Sequence, residues 1–149
     1  MAAFTTETLA STDFAAWEPL WQGYLTFYKA AVSDETTRTA FARLTSASEP
    51  MGGFMARDAG DKAIGMVNWI MHRSTWTVGD YCYLQDLFVA PEARGGGVAR
   101  ALIEAVYGKA RQANCSRVYW LTHKTNDVAM HLYDRMADQS GFIQYRKIF

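Results

Sequence analysis

The chain has 149 residues, half of them hydrophobic and 14% aromatic against 20% charged. That composition builds a folded core and excludes intrinsic disorder. Fifteen basic residues balance fifteen acidic ones, which excludes a global electrostatic grip on nucleic acid.

The length suits a single domain over residues 1–149. The start, Met1-Ala2-Ala3-Phe4, lacks the basic and apolar regions of a signal peptide, and no apolar run approaches a membrane span. The chain therefore reads as soluble and cytoplasmic, without a membrane partner. Cys82 and Cys115 have no Cys-x-x-Cys spacing, and His72, His123 and His131 form no ligand pattern, so no metal is expected. Residues 1–50 carry three bases and six acids, and the remainder carries the opposite excess. That split would suit a cationic substrate on one side and a polyanionic ligand on the other.

In chain order, Phe4–Leu9 reads as a first strand. Ser11-Thr12-Asp13 offers capping oxygens for a helix whose apolar face runs through Trp17, Leu20, Trp21, Tyr24, Phe27, Tyr28 and Ala31. Pro19 must lie in its first turn or kink it. Ser33–Ser46 reads as a second helix, closed by Glu49-Pro50-Met51-Gly52-Gly53. Phe54–Arg57 and Ala63–His72 form a hairpin around Asp58-Ala59-Gly60-Asp61, and Tyr81–Val89 is the next strand. A helix from Gly97 to about Gln112, a strand Arg117–Thr122, a helix through Ala129, Leu132, Tyr133 and Met136, and a final strand Phe142–Phe149 complete the chain. The central strand–helix–strand unit requires a parallel pair with a right-handed crossover. The predicted fold class is α/β: a mixed six- to seven-stranded sheet with helices on both faces.

The segment Val89-Ala90-Pro91-Glu92-Ala93-Arg94-Gly95-Gly96-Gly97-Val98-Ala99 carries the chemistry. A strand runs into a basic glycine turn that opens a helix, so backbone N–H groups can converge on an anion beside the helix's positive end. A pyrophosphate-type ligand fits that arrangement; a tight turn alone requires fewer glycines. A dinucleotide fingerprint fails because Arg100 stands where its third glycine is needed, and a P-loop fails for want of Gly-Lys-Ser/Thr.

These residues resemble the GNAT acetyltransferase superfamily. Its Arg/Gln-x-x-Gly-x-Gly/Ala motif is met by Arg94-Gly95-Gly96-Gly97-Val98-Ala99, and Leu84–Pro91 is similar to the strand before it. Asn126-Asp127-Val128-Ala129-Met130-His131-Leu132-Tyr133 resembles the family's Asn-x-x-Ala-x-x-Leu/Phe-Tyr helix, and Gly141-Phe142 its Gly-Phe ending. Leu20-Trp21-Gln22-Gly23-Tyr24 is similar to the first helix of the subgroup that acetylates polyamines and histone-like lysines.

The resemblance implies that backbone groups of Arg94, Gly95, Gly96, Gly97, Val98 and Ala99 hold the pyrophosphate of acetyl-CoA. Leu87, Phe88 and Val89 would pair with the pantetheine arm, one of the first two N–H groups polarising the thioester carbonyl. Asn126 would bond the CoA arm, and Tyr133 would act as general acid toward the leaving thiolate. Spacing alone fits Tyr133 equally to a core aromatic. An alkylammonium of pKa about 10.4 must lose a proton before it attacks. Similar polyamine enzymes carry a glutamate where this chain has Gln85, and an amide cannot be the base. Asp86 is the adjacent candidate, although strand alternation turns it away unless a bulge intervenes; a structural carboxylate is the other reading. His72, His123 and Glu18 through water are weaker candidates. Trp21, Tyr24 and Gln85 would line the amine pocket. The expected activity is direct acetyl transfer from acetyl-CoA to a primary amine: a polyamine, an amino sugar, an amino acid derivative or a protein amine. The alternative is a non-catalytic acyl-CoA-binding sensor or interaction module. A homodimer formed through the aromatic last strand is a further expectation.

Overall fold

A computed structural model describes residues 3–149. Five strands make one sheet: β1 (Phe4–Thr8), β2 (Met51–Asp58), β3 (Ala63–His72), β4 (Tyr81–Val89) and β5 (Arg117–Tyr119), in that order across it. The first four pair antiparallel, and β4 and β5 pair parallel. Between them run α1 (Phe14–Phe27), α2 (Asp34–Leu44), α3 (Val98–Gln112) and, after β5, α4 (Asp127–Met136). Among the described residues, no helix is long and apolar enough to cross a membrane.

Period-two alternation divides the core into two layers. Met55 and Met66 face α1 and α2, where they meet Trp17, Leu20 and Phe41. Ala56 and Val67, their neighbours in sequence, face α3 and meet Leu102, Ile103 and Val106. Those three α3 residues recur at helical spacing and are fully buried, each contributing about 1.5–3 kcal/mol. The α/β class, the mixed sheet and the helices on both faces agree with the sequence pattern.

The helix ends follow local chemistry. Ser33 caps α2 by accepting from the Thr36 amide at 3.0 Å. Lys29 after α1 and Asn114 after α3 adopt left-handed backbone, with φ of 53° and 57°. Each lets the next amide reach back, Ala30 to the Leu25 carbonyl and Cys115 to that of Ala110, both at 2.9 Å. The apolar periodicity of the first helix does not reach Ala31, because this reversal ends it at Phe27. Pro19 is in the second turn rather than the first, forfeiting one helix bond.

Two further expectations are corrected. The sheet has five strands, not six or seven, because Phe142–Phe149 is not a strand. Its aromatic and aliphatic side chains are exposed, and it pairs with no strand among the described residues. Likewise β5 ends at Tyr119 rather than Thr122.

Candidate active site

The site follows from the short pairing of the central parallel strands. Tyr81–Tyr83 of β4 pairs with Arg117–Tyr119 of β5, and there the ladder stops. Beyond it, the chain after β5 diverges from β4, and a cleft of about 310 Å³ opens between them. Gln85 and Leu87 form one wall, Trp120, Thr122 and His123 the other, with Tyr24 of α1, Tyr28 just after it and Tyr133 of α4 facing inward. The outer backbone edge of β4 from Leu84 onward has no strand partner, so a linear ligand can pair there as an added strand.

At the exit of β4, the glycine turn takes the conformation that its sequence requires. Gly95 and Gly97 have φ of 80° and 85°, and a Cβ at either would meet nothing within 4 Å. Glycine is therefore demanded by the backbone angle and not by crowding. Gly97 caps α3 without any side-chain bond to the first-turn amides, leaving them free for an anion. Val98 points into the core, 3% exposed, so only its backbone faces the turn. Arg94 folds back: its Nε donates to the Val89 carbonyl at 3.1 Å, and its guanidinium lies over the Phe88 and Phe27 rings. Of Val89, the carbonyl is thus already engaged. Phe88 packs on α1 at Gly23, where an added Cβ would come within 2.8 Å of its ring.

Tyr133 is half-buried, edge-on to Trp120 at 5.4 Å between ring centres. Burial, with a smaller push from Tyr28, raises its pKa to about 12, so it carries its proton at neutral pH. Asn126 caps α4 and donates from Nδ2 to the Thr122 hydroxyl at 3.1 Å. It holds one wall of the cleft without lining it.

Asp86 answers to a bulge. Asn68 pairs with Asp86, yet the next residue, Trp69, pairs with Leu84, so Gln85 is an extra residue in β4. The inserted residue sets Gln85 at the cleft and turns Asp86 toward α1. Its carboxylate accepts from Asn68 Nδ2 at 3.0 Å, and the Trp17 indole in turn donates to Asn68 Oδ1 at 3.4 Å. Asp86 is 7% exposed; burial raises its pKa, and the Asn68 bond and the nearby Tyr24 hydroxyl pull against that rise. It does not line the cleft.

Of the expected pocket residues, Tyr24 and Gln85 line the cleft, whereas Trp21 does not. Trp21 is buried between Trp17 and Tyr24, with its indole N–H on the Thr37 hydroxyl at 3.1 Å. His72 lies away from the cleft, bonded to Tyr119 at 2.6 Å. The cleft residues that sequence reasoning missed include Tyr83, Trp120, Thr122 and, from the segment after α4, Gln144 and Arg146. Alternation along β4 already gave Tyr83 the same face as Asp86 once a bulge is allowed, but the divergence after Tyr119 has no local signal. A larger groove of about 850 Å³ lies beside Pro19, Phe27 and Arg94; there Lys62 pairs with Glu92 at 3.1 Å and Arg57 with Asp13 at 3.0 Å, while Arg94 forms no ion pair among the described residues.

A profile of the Acetyltransferase (GNAT) family matches residues 17–137. The chain belongs to that family and is an N-acetyltransferase. It is 36% identical over 137 residues to a D-amino-acid N-acetyltransferase, HPA3, of Saccharomyces cerevisiae, covering 91% of this chain and 84% of that protein. It is 35% identical over 99 residues to a thialysine N-epsilon-acetyltransferase of Caenorhabditis elegans, covering 63% of this chain and 61% of that one. The fold matches that of AAC(6')-Iy in complex with a bisubstrate analogue, CoA-S-monomethyl-acetylneamine. There the TM-score is 0.84 at 20% identity, covering 99% of this chain and all of the other.

Proposed function

We propose that the protein transfers the acetyl group of acetyl-CoA directly to the primary amine of a small molecule. The observation that carries this reading is the parting of β4 from the chain after Tyr119, which opens a tyrosine-lined cleft continuous with an unpaired strand edge. The free first-turn amides of α3 fit the pyrophosphate, and the β4 edge at Leu87 and Phe88 fits the pantetheine arm. A backbone N–H there polarises the carbonyl as negative charge develops on its oxygen. Tyr133, protonated at neutral pH, gives its hydroxyl proton to the departing thiolate. Cys82 forms no acyl intermediate: it faces the α3 core, and burial raises its thiol to about 12.

The cleft is aromatic and polar, with four phenols, two amides, an imidazole, an indole and the Arg146 guanidinium around it. That lining suits an ammonium group. The names of the relatives direct the choice of acceptor toward amino acid amines. The test is free-thiol release from acetyl-CoA across D-amino acids, thialysine, polyamines and aminoglycosides. Turnover with one class establishes the activity; ligand-induced stabilisation without turnover on any amine would favour an acyl-CoA sensor instead.

We assign residues 1–149 to one domain working in the cytoplasm, where two free thiols remain reduced. We also infer a homodimer. Phe142, Ile143, Tyr145 and Ile148 are exposed on a segment without partners, while Gln144 and Arg146 of that segment border the cleft. A second copy covering them would bury apolar surface beside the acceptor site.

A further inference from the structure

We propose that Arg146 sets the specificity of the cleft: its guanidinium holds a carboxylate of the acceptor, which makes that acceptor an amino acid and not a polyamine. The proposal rests on the acetyl-transfer reading above and names the substrate class of that same site. Of the Asp, Glu, Lys and Arg side chains among the described residues, only Arg146 lines the cleft. Asp86, next to the lining Gln85, is 7% exposed, bonds Asn68 at 3.0 Å and does not line it. Walls with one guanidinium and no carboxylate attract an anion.

Arg146 is also free to take a ligand. Arg38, Arg57, Arg73 and Arg100 are each engaged by an acidic neighbour, and Arg94 donates to the Val89 carbonyl. Arg146 is exposed and has no ion pair among the described residues. Its N–H groups form a planar fork that matches the two oxygens of a carboxylate. Gln144, two residues earlier, lines the same cleft and adds a neutral amide donor beside it.

Other acceptors need groups that these walls lack. A polyamine or an aminoglycoside brings ammonium groups beyond the one that reacts, and each needs an acidic partner or open water; here it meets a guanidinium. A phosphate-bearing amine brings two negative charges to one cation. An amino acid brings a single carboxylate, so the charges match. The volume of about 310 Å³ is at the small end of ligand sites, which run to roughly 1,000 Å³, and suits an acceptor of that size. Trp120 and the tyrosines then receive the ammonium and any apolar side chain. With its carboxylate fixed at Arg146, the acceptor keeps its amine within the cleft that Leu87 also lines.

The test measures free-thiol release from acetyl-CoA by the full chain with D- and L-lysine, D- and L-phenylalanine, their carboxamides, cadaverine (lysine without its carboxyl) and O-phosphoethanolamine. For the amino acid best accepted, kcat/KM should exceed that of its carboxamide by a factor on the order of 10 to 100, the range for a hydrogen bond to a charged group. Amidation makes the amine easier to deprotonate, so nucleophile supply does not account for such a loss. Arg146→Gln should raise KM for the acid by the same factor, with kcat and the acetyl-CoA Kd held, and so close the gap between acid and carboxamide. Arg146→Lys should recover part of the gap, and Arg146→Glu should turn the preference toward cadaverine. A wild-type protein that prefers cadaverine or O-phosphoethanolamine would overturn the assignment. So would an Arg146→Gln variant that loses acid and carboxamide equally, or that loses acetyl-CoA affinity. Calorimetry of the CoA-loaded protein with the same compounds reads the site without turnover. If none of them is acetylated, the acetyl-transfer reading fails for these amines. Amino acid binding that Arg146→Gln abolishes would then still uphold the carboxylate site, and no binding would remove it.

Discussion

Tyr133, half-buried, and Asp86, buried, are titratable groups whose pKa values rise, yet the consequences differ. For Tyr133 the rise to about 12 preserves a proton donor. Tyr133→Phe keeps the ring against Trp120 and should lower kcat about 100-fold with the acetyl-CoA Kd unchanged, as stopped-flow and calorimetry would measure. Loss of cofactor binding would make the residue a packing element. For Asp86 the rise is a cost to the fold. A carboxyl whose folded pKa exceeds its unfolded value adds stability below the unfolded pKa of about 3.9, and loses it as pH climbs through the folded one. At neutral pH the folded state therefore carries a buried charge that the unfolded chain solvates. Asp86→Asn should melt higher than wild type at pH 7, with the gap closing below pH 4. A lower Tm at pH 7 would mean that the carboxylate's bond to Asn68 outweighs its desolvation.

At the scale of elements, the glycine turn and the β4 bulge set the site. Gly97 and Gly108 both have open space where a Cβ would go, but only Gly97 has positive φ. Gly97→Ala should cost about 1–2 kcal/mol for the left-handed backbone, lowering Tm by roughly 3–6 °C, and should weaken acetyl-CoA binding. Gly108→Ala, within α3, should instead stabilise by about 1 kcal/mol. Differential melting of the two variants checks this; equal shifts would show that the turn tolerates a side chain. The turn was legible because it is chemistry written in consecutive residues, Arg94 to Ala99. The bulge was legible only as a condition. Alternation sends Asp86 away from the α1 face, and one extra residue at Gln85 brings it back. Nothing local to Leu84-Gln85-Asp86 says which residue β3 will skip, because register is decided by the pairing of two strands.

Across the whole molecule, the segment after α4 departs most from sequence expectation. Phe142 to Phe149 is rich in aromatic and aliphatic residues like a strand, yet it joins no sheet among the described residues and leaves its large apolar side chains exposed. β-propensity measures fit to a half-buried pleated surface and is not realised without a neighbour. If a second copy supplies that neighbour, the full chain should sediment at twice its mass, and Phe142→Asp with Ile148→Asp should halve it. The paired variant should also change KM for the amine, since Gln144 and Arg146 border the cleft. A wild-type monomer at tens of micromolar would remove the dimer.

Local sequence determined the elements: the amphipathic face through Trp17, Leu20 and Trp21, the capping Ser33, the hairpin strands and the glycine turn all act within a few residues of themselves. It also carried the family resemblance, because those motifs hold backbone geometry and the phenol of Tyr133 at fixed spacings. Tertiary structure decided which side chains share a cleft. The parting of β4 from β5 after three paired residues, the bulge at Gln85, the withdrawal of Trp21 into the core and the bond from Asn68 to Asp86 depend on elements distant in sequence. Their energies depend on packing and desolvation that no single segment encodes.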